Sequence, residues 1–144
     1  MAAPRIVGLD HVVLRVSDLE RARKFYCDVL GASVEVHQKK LGLMQLCLGE
    51  SLVDLVPVDG ELGRKGGAAP GSEGRNMYHF CLRVRPFEPD AIAGHLRAHG
   101  VDPGGVHQRY GAEGMGPSMY IEDSEGNVVE LKGPTTSKEP PIGT

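Results

Sequence analysis

Between positions 9 and 16 the chain reads Leu-Asp-His-Val-Val-Leu-Arg-Val. Val12, Leu14 and Val16 alternate with His11, Val13 and Arg15, which is the period of two that puts one set on each face of a β-strand. The phrase His-x-x-Leu-Arg-Val returns at His79, 68 positions on, with Phe80, Leu82 and Val84 apolar and His79, Cys81 and Arg83 on the opposite face. Each strand therefore offers one wholly apolar face for a helix to cover and one face bearing a histidine.

The pattern predicts strand over 6–16. Ser17 or Asp18 caps a helix over 19–30, and Gly31 stops it. Leu19, Ala22, Phe25, Tyr26 and Val29 recur at helical spacing as its buried stripe. Strands follow at 34–38, 43–48 and 52–58, the last two joined by a short link at Gly49-Glu50-Ser51. The order then repeats. Strand 77–84 leads to a helix over 89–99, stopped by Gly100, and to strands at 106–109, 118–121 and 127–132. Between the halves, 59–76 holds six glycines and few apolar residues and reads as a linker or a lid. Residues 134–144 read as a frayed tail.

The chain is thus β-α-β-β-β twice, with modules at 6–58 and 77–133. Val36-His37-Gln38-Lys39 echoes Val106-His107-Gln108-Arg109, and Leu52-Val53-Asp54-Leu55 echoes Val128-Val129-Glu130-Leu131. The expected class is α+β. Each sheet has one face under a helix, and curling both sheets around a shared cleft buries the other. An open barrel of two βαβββ modules results, one domain over 1–144.

Composition narrows the chemistry. A net charge of −3 gives no nucleic-acid footprint, and no apolar run approaches a membrane span. The N-terminus is too short before strand begins to serve as a signal peptide. Three cysteines, Cys27, Cys47 and Cys81, lie in periodic segments without CxxC spacing. They read as buried, reduced thiols of a cytoplasmic protein.

His11 and His79 occupy equivalent first-strand positions, and Asp54 and Glu130 equivalent last-strand positions. If first and last strands are neighbours, two imidazoles and one or two carboxylates converge. That donor set suits Fe(II), Mn, Ni, Co or Zn with positions left open for substrate.

The stretches Leu9-Asp10-His11-Val12-Val13-Leu14, Phe25-Tyr26-Cys27-Asp28-Val29-Leu30-Gly31, Tyr78-His79-Phe80-Cys81-Leu82 and Asp123-Ser124-Glu125-Gly126-Asn127-Val128-Val129-Glu130-Leu131 resemble the vicinal oxygen chelate superfamily. It includes glyoxalase I, fosfomycin-resistance proteins, extradiol dioxygenases, methylmalonyl-CoA epimerases and bleomycin-binding proteins. The resemblance implies paired βαβββ modules, often supplied across a homodimer, and a metal held by His11, His79 and Glu130. A fourth family position, Glu in glyoxalase I, falls on Asp54, one methylene shorter. Asp54 is then a ligand, a base acting through water, or neither.

Three activities stay open. A glyoxalase-like lyase or isomerase would use Asp54 or Glu130 as base toward a small oxygenated substrate chelated by one divalent ion (Zn, Ni, Mn, Co or Fe). An extradiol-type dioxygenase would use His11, His79 and Glu130 on Fe(II), but its further His/Tyr acid–base pair is not evident. A resistance or ligand-binding protein is the third, although no phosphonate-binding cluster of cations is visible. The expectation is the first.

Arg15 and Arg83 share the histidine faces and either hold an anionic substrate or pair with carboxylates. Tyr110 and Tyr120 are candidate substrate contacts, and Glu113 a lid carboxylate or a solvated turn. His37 and His107 read as polar strand edges. His95 and His99 have metal spacing on a helix, but their neighbours place them toward solvent.

Overall fold

The computed structural model describes residues 3–141. The chain divides after Pro70 into two compact units, each built as β-α-β-β-β.

In the first unit, β1 (His11–Val16), β2 (Ser33–Gln38), β3 (Leu43–Leu48) and β4 (Ser51–Pro57) form one sheet in the order β1-β4-β3-β2. β1 and β4, the first and last strands, are parallel neighbours, with Val13 opposite Asp54 and Leu14 opposite Leu55. The same register puts Val12, Val53 and Leu46 in one row and Leu14, Leu55 and Met44 in the next. These rows make the apolar face, and all but Val12 are buried.

The helix α1 (Leu19–Lys24) carries Ala22 into that layer. Asp18 caps it, its carboxylate accepting from the Arg21 amide at 3.0 Å. The expected α-helix to residue 30 changes instead into a π turn over Phe25–Val29. The wider turn still buries Phe25, Tyr26 and Val29. Gly31, at φ +76°, ends it in a conformation that costs other residues about 1 kcal/mol or more.

Two expectations are corrected here. The first strand starts at His11, because residues 3–10 make no ladder and Ile6, Val7 and Leu9 stand 79–90% exposed. The connector is not loose over its first half. Gly63–Gly66 form a 3-10 turn, and Arg15 reaches from β1 to hold it. Its guanidinium donates to the carbonyls of Gly63 (2.8 Å), Gly67 (2.6 Å) and Ala68 (3.0 Å). A Cβ on Gly66 would lie 2.6 Å from that guanidinium, so a larger residue there would have to displace the Arg15 head group.

In the second unit, β5 (Phe80–Arg83), β6 (His107–Gly111), β7 (Gly114–Glu122) and β8 (Val128–Lys132) form the sheet β5-β8-β7-β6. Phe80, Val129 and Ile121 lie in one row, Leu82, Leu131 and Met119 in the next. The helix α2 (Pro89–Ala98) buries Leu96. The turn before β8 is fixed by Asp123, which accepts from the amides of Glu125 and Asn127 at 2.8 Å each.

The tail is tied where fraying was expected. Met115 exchanges backbone hydrogen bonds with Thr136 (2.7 Å) and Ser137 (2.6 Å). Residues 142–144 of the predicted tail lie outside the described residues. No helix of the described chain is long and apolar enough to cross a membrane.

Candidate functional site

The parallel pairing of first and last strands sets an imidazole beside a buried carboxylate in each unit. In the first unit His11 Nε2 is 3.9 Å from Asp54 Oδ2. Asp54 is 3% exposed on the sheet face opposite the helix. Gln45, its neighbour on β3, donates to Oδ2 at 3.2 Å, while Oδ1 is buried without a hydrogen bond. The Asp10 carboxylate accepts from His11 Nδ1 at 2.7 Å. That bond, followed by the charge of Asp54, raises the His11 pKa above the ordinary imidazole value. It also leaves Nε2 as the free nitrogen, the arrangement in which a metal-ligating histidine is oriented by a second carboxylate.

In the second unit His79 Nε2 is 3.5 Å from Glu130 Oε1. Glu130 is 6% exposed and sits between Cys81 and Tyr120 in register. The Cys81 thiol donates to Glu130 Oε2 at 3.4 Å. Desolvation at the sulfur, then the Glu130 charge, pushes the Cys81 thiol up to about 12. Cys81 is thus exposed as a residue and held as a neutral thiol, whereas Cys27 and Cys47 are half-buried. The expectation of three buried thiols does not hold.

The Tyr120 ring packs edge-on to His79, centroids 5.3 Å apart, and the Arg109 guanidinium lies 4.2 Å over it. Desolvation and the Glu130 carboxylate raise the Tyr120 pKa above the phenol range. His79 Nδ1, like Asp54 Oδ1, is buried without a partner. Unpartnered buried acceptors of this kind are costly unless something binds them. Imidazole nitrogens and carboxylate oxygens are donors that suit a borderline divalent ion. Among the described residues, no group of three or more His, Cys, Asp or Glu is gathered to hold a metal ion.

The sequence profile of the Glyoxalase/Bleomycin resistance protein/Dioxygenase superfamily matches residues 8–131. The chain belongs to this superfamily. It is 31% identical over 124 residues to Virulence protein STM3117 of Salmonella typhimurium, covering 85% of this chain and 81% of that protein. The crystal structure of that protein superposes with a TM-score of 0.74 over 92% of this chain and all of that one. Mouse mitochondrial methylmalonyl-CoA epimerase is 28% identical over 130 residues, 86% of this chain and 71% of the epimerase. The fosfomycin resistance protein FosX of Listeria monocytogenes, 21% identical, shares the fold with a TM-score of 0.70 over 93% of this chain and 96% of that one.

Within this superfamily member the remaining candidates separate clearly. Arg15 holds the connector and Arg83 pairs with Glu113 at 3.2 Å. Glu113 also binds Arg85, and Arg85 first, then Arg83 and Lys132, depress its pKa, so it is neither a lone lid carboxylate nor a bare solvated turn. Tyr110 is 51% exposed. His37 and His107 lie on the exposed strands β2 and β6. The His95 and His99 rings lie 4.5 Å apart, tilted by 48°, and are bound through His99 Nδ1 and the His95 carbonyl (3.0 Å).

Four residues escaped the sequence reading of the site: Asp10, Gln45, Arg109 and Lys132. Asp10 was available as the carboxylate next to His11. The other three depend on strand register, which places Lys132 opposite Ser118 and Arg109 opposite Gly116 on the Glu130 face.

Proposed function

We propose that the protein is a divalent-metal-dependent lyase or isomerase acting on a small oxygenated substrate, with His11, His79 and Glu130 as metal ligands and Asp54 as the proton-transferring base. One observation carries the reading. An imidazole faces a buried carboxylate at the same place in both modules, at 3.9 Å and 3.5 Å, with an unpartnered polar atom left in each pair. A bound divalent ion supplies Lewis acidity to adjacent substrate oxygens.

The chain's residues do the rest. Asp10 fixes the His11 tautomer. Cys81 donates to one oxygen of Glu130 and steadies that carboxylate. Gln45 engages one oxygen of Asp54 and leaves Oδ1 free to accept a proton. Burial of Asp54 keeps that oxygen away from competing water, as a general base requires. Similarity to an epimerase supports proton transfer at a carbon beside a carbonyl. Among the described residues no further histidine stands at either pair, which weighs against the dioxygenase alternative.

The test is metal analysis of protein purified without chelators, beside the double variant His11→Ala, His79→Ala. The wild type is expected to retain one divalent ion per chain, and the variant to lose it while keeping its circular dichroism. Equal metal content in the two proteins refutes the ligand assignment. Proton exchange into a substrate carbon, driven by nickel or zinc, identifies the isomerase or lyase. Oxygen consumption with iron identifies the dioxygenase instead.

A further inference from the structure

His95 and His99 lie outside the candidate centre, at the exposed C-terminal end of α2. A spacing of four puts two residues one turn apart on one helix face. The rings lie 4.5 Å apart with their planes at 48°. The backbone orients the His99 ring, whose Nδ1 meets the His95 carbonyl at 3.0 Å. A carbonyl only accepts, so Nδ1 carries the proton and Nε2 keeps its lone pair. Metal-binding imidazoles are set in one tautomer in this way, by a carbonyl on the other ring nitrogen.

The turn under the pair is held firmly. The Val101 amide donates to the Leu96 carbonyl at 2.9 Å and the Gly100 amide to the Arg97 carbonyl at 3.0 Å. Gly100 has φ +73°, so these two bonds form the left-handed closure that ends many helices. Leu96, 1% exposed, anchors the same turn in the core. The backbone carrying both histidines is thus ordered before an ion arrives, which lowers the cost of binding. The helix surface around the rings is bare. Ala91, Gly94 and Ala98 are exposed, and a Cβ on Gly94 would meet nothing within 4 Å. The negative end of the helix dipole also favours a cation here.

We propose that His95 and His99 form a second divalent-metal site, exposed and exchangeable, with two imidazole nitrogens as protein ligands and water in the other positions. Imidazole ligands suit copper(II), nickel(II) and zinc(II). Two protein ligands hold an ion less firmly than the three or four of a resident metal centre. The site therefore fills from solution and empties on purification. It is independent of the function proposed above.

The experiment uses the untagged full chain carrying His11→Ala and His79→Ala, treated with chelator and titrated calorimetrically with nickel chloride, so that α2 is read without the candidate centre. One nickel ion per chain is expected to bind saturably. Adding His95→Ala or His99→Ala is expected to weaken that binding on the order of 10²-fold, the gain that linking two ligands on one frame provides. Circular dichroism confirms that each variant folds. The wild-type chain gives a second measurement. Nickel is expected to broaden the ring NMR signals of His95 and His99 at concentrations that leave those of His37 and His107, exposed on β2 and β6, unchanged. No saturable binding, unchanged affinity after either added substitution, or equal broadening of all four rings overturns the site.

Discussion

Asp54 and Glu130 are equivalent in the repeat, but their surroundings give them different work. Glu130 has the longer reach and lies 3.5 Å from its histidine, with its second oxygen engaged by Cys81. Asp54 lies 3.9 Å from its histidine and keeps one buried oxygen unengaged. A ligand needs its lone pairs on the metal, and a base needs one free. Asp54→Asn is therefore expected to retain most metal and to lose turnover by on the order of 10²–10⁴-fold, the range for a positioned proton-transfer group. Glu130→Gln is expected to lose both. Parallel metal titration and rate measurement on the two variants decide the matter. Equal metal loss makes Asp54 a ligand, and loss of neither property from Asp54→Asn removes it from the mechanism. The two histidines and two carboxylates were legible because alternation in a strand fixes which residues share a face. Gln45, Arg109 and Lys132 were not, because each meets its neighbours through register across a sheet, which local periodicity does not encode.

Among the elements, the boundaries drifted where apolar residues serve no core. Ile6, Val7 and Leu9 look like strand in the sequence but are exposed, so the first strand begins at His11. The connector shows the opposite case. Glycine-rich and polar, it reads as loose, yet its first half is held by one arginine sixty-eight positions before the Arg83 that echoes it. Arg83 pairs with Glu113 instead, so the repeated arginine has diverged into two jobs. Three donors from Arg15 satisfy three backbone carbonyls, and bonds of a charged donor are each worth about 1.5–3 kcal/mol. Arg15→Ala should free the turn that carries the exposed Arg64 and Lys65, letting the backbone there open for a protease, so tryptic cleavage should rise by about tenfold for each 1.4 kcal/mol lost. The measurement is the cleavage rate at those two sites, beside the melting temperature. An unchanged rate would mean that the 3-10 turn holds itself and that Arg15 is incidental to it.

Across the whole molecule the two units divide burial unevenly. Of the buried hydrophobic residues, Leu14, Val16, Ala22, Phe25, Tyr26, Val29, Ala32, Met44, Leu46, Val53, Leu55 and Val56 lie in the first unit, whereas Leu96, Met119, Ile121, Val129 and Leu131 lie in the second. Buried polar groups run the other way. Ser118, Asp123, Asn127, Glu130 and Lys132 belong to the second unit and Asp54 to the first. Asp123 and Asn127 are satisfied by each other at 2.9 Å, so they cost little. Lys132 makes no hydrogen bond among the described residues and its charge acts on Glu113 only at longer range; even complete buried ion pairs can often be replaced by apolar side chains at no cost or with a gain of about 1–4 kcal/mol. Lys132→Met should therefore leave the melting temperature unchanged or raise it. Hydrogen exchange should localise the gain to amides of β7 and β8, which start out less protected than those of β1 and β4 because fewer apolar groups lie against them. A fall in melting temperature would show that the attraction between Lys132 and Glu113 outweighs the cost of burying the ammonium.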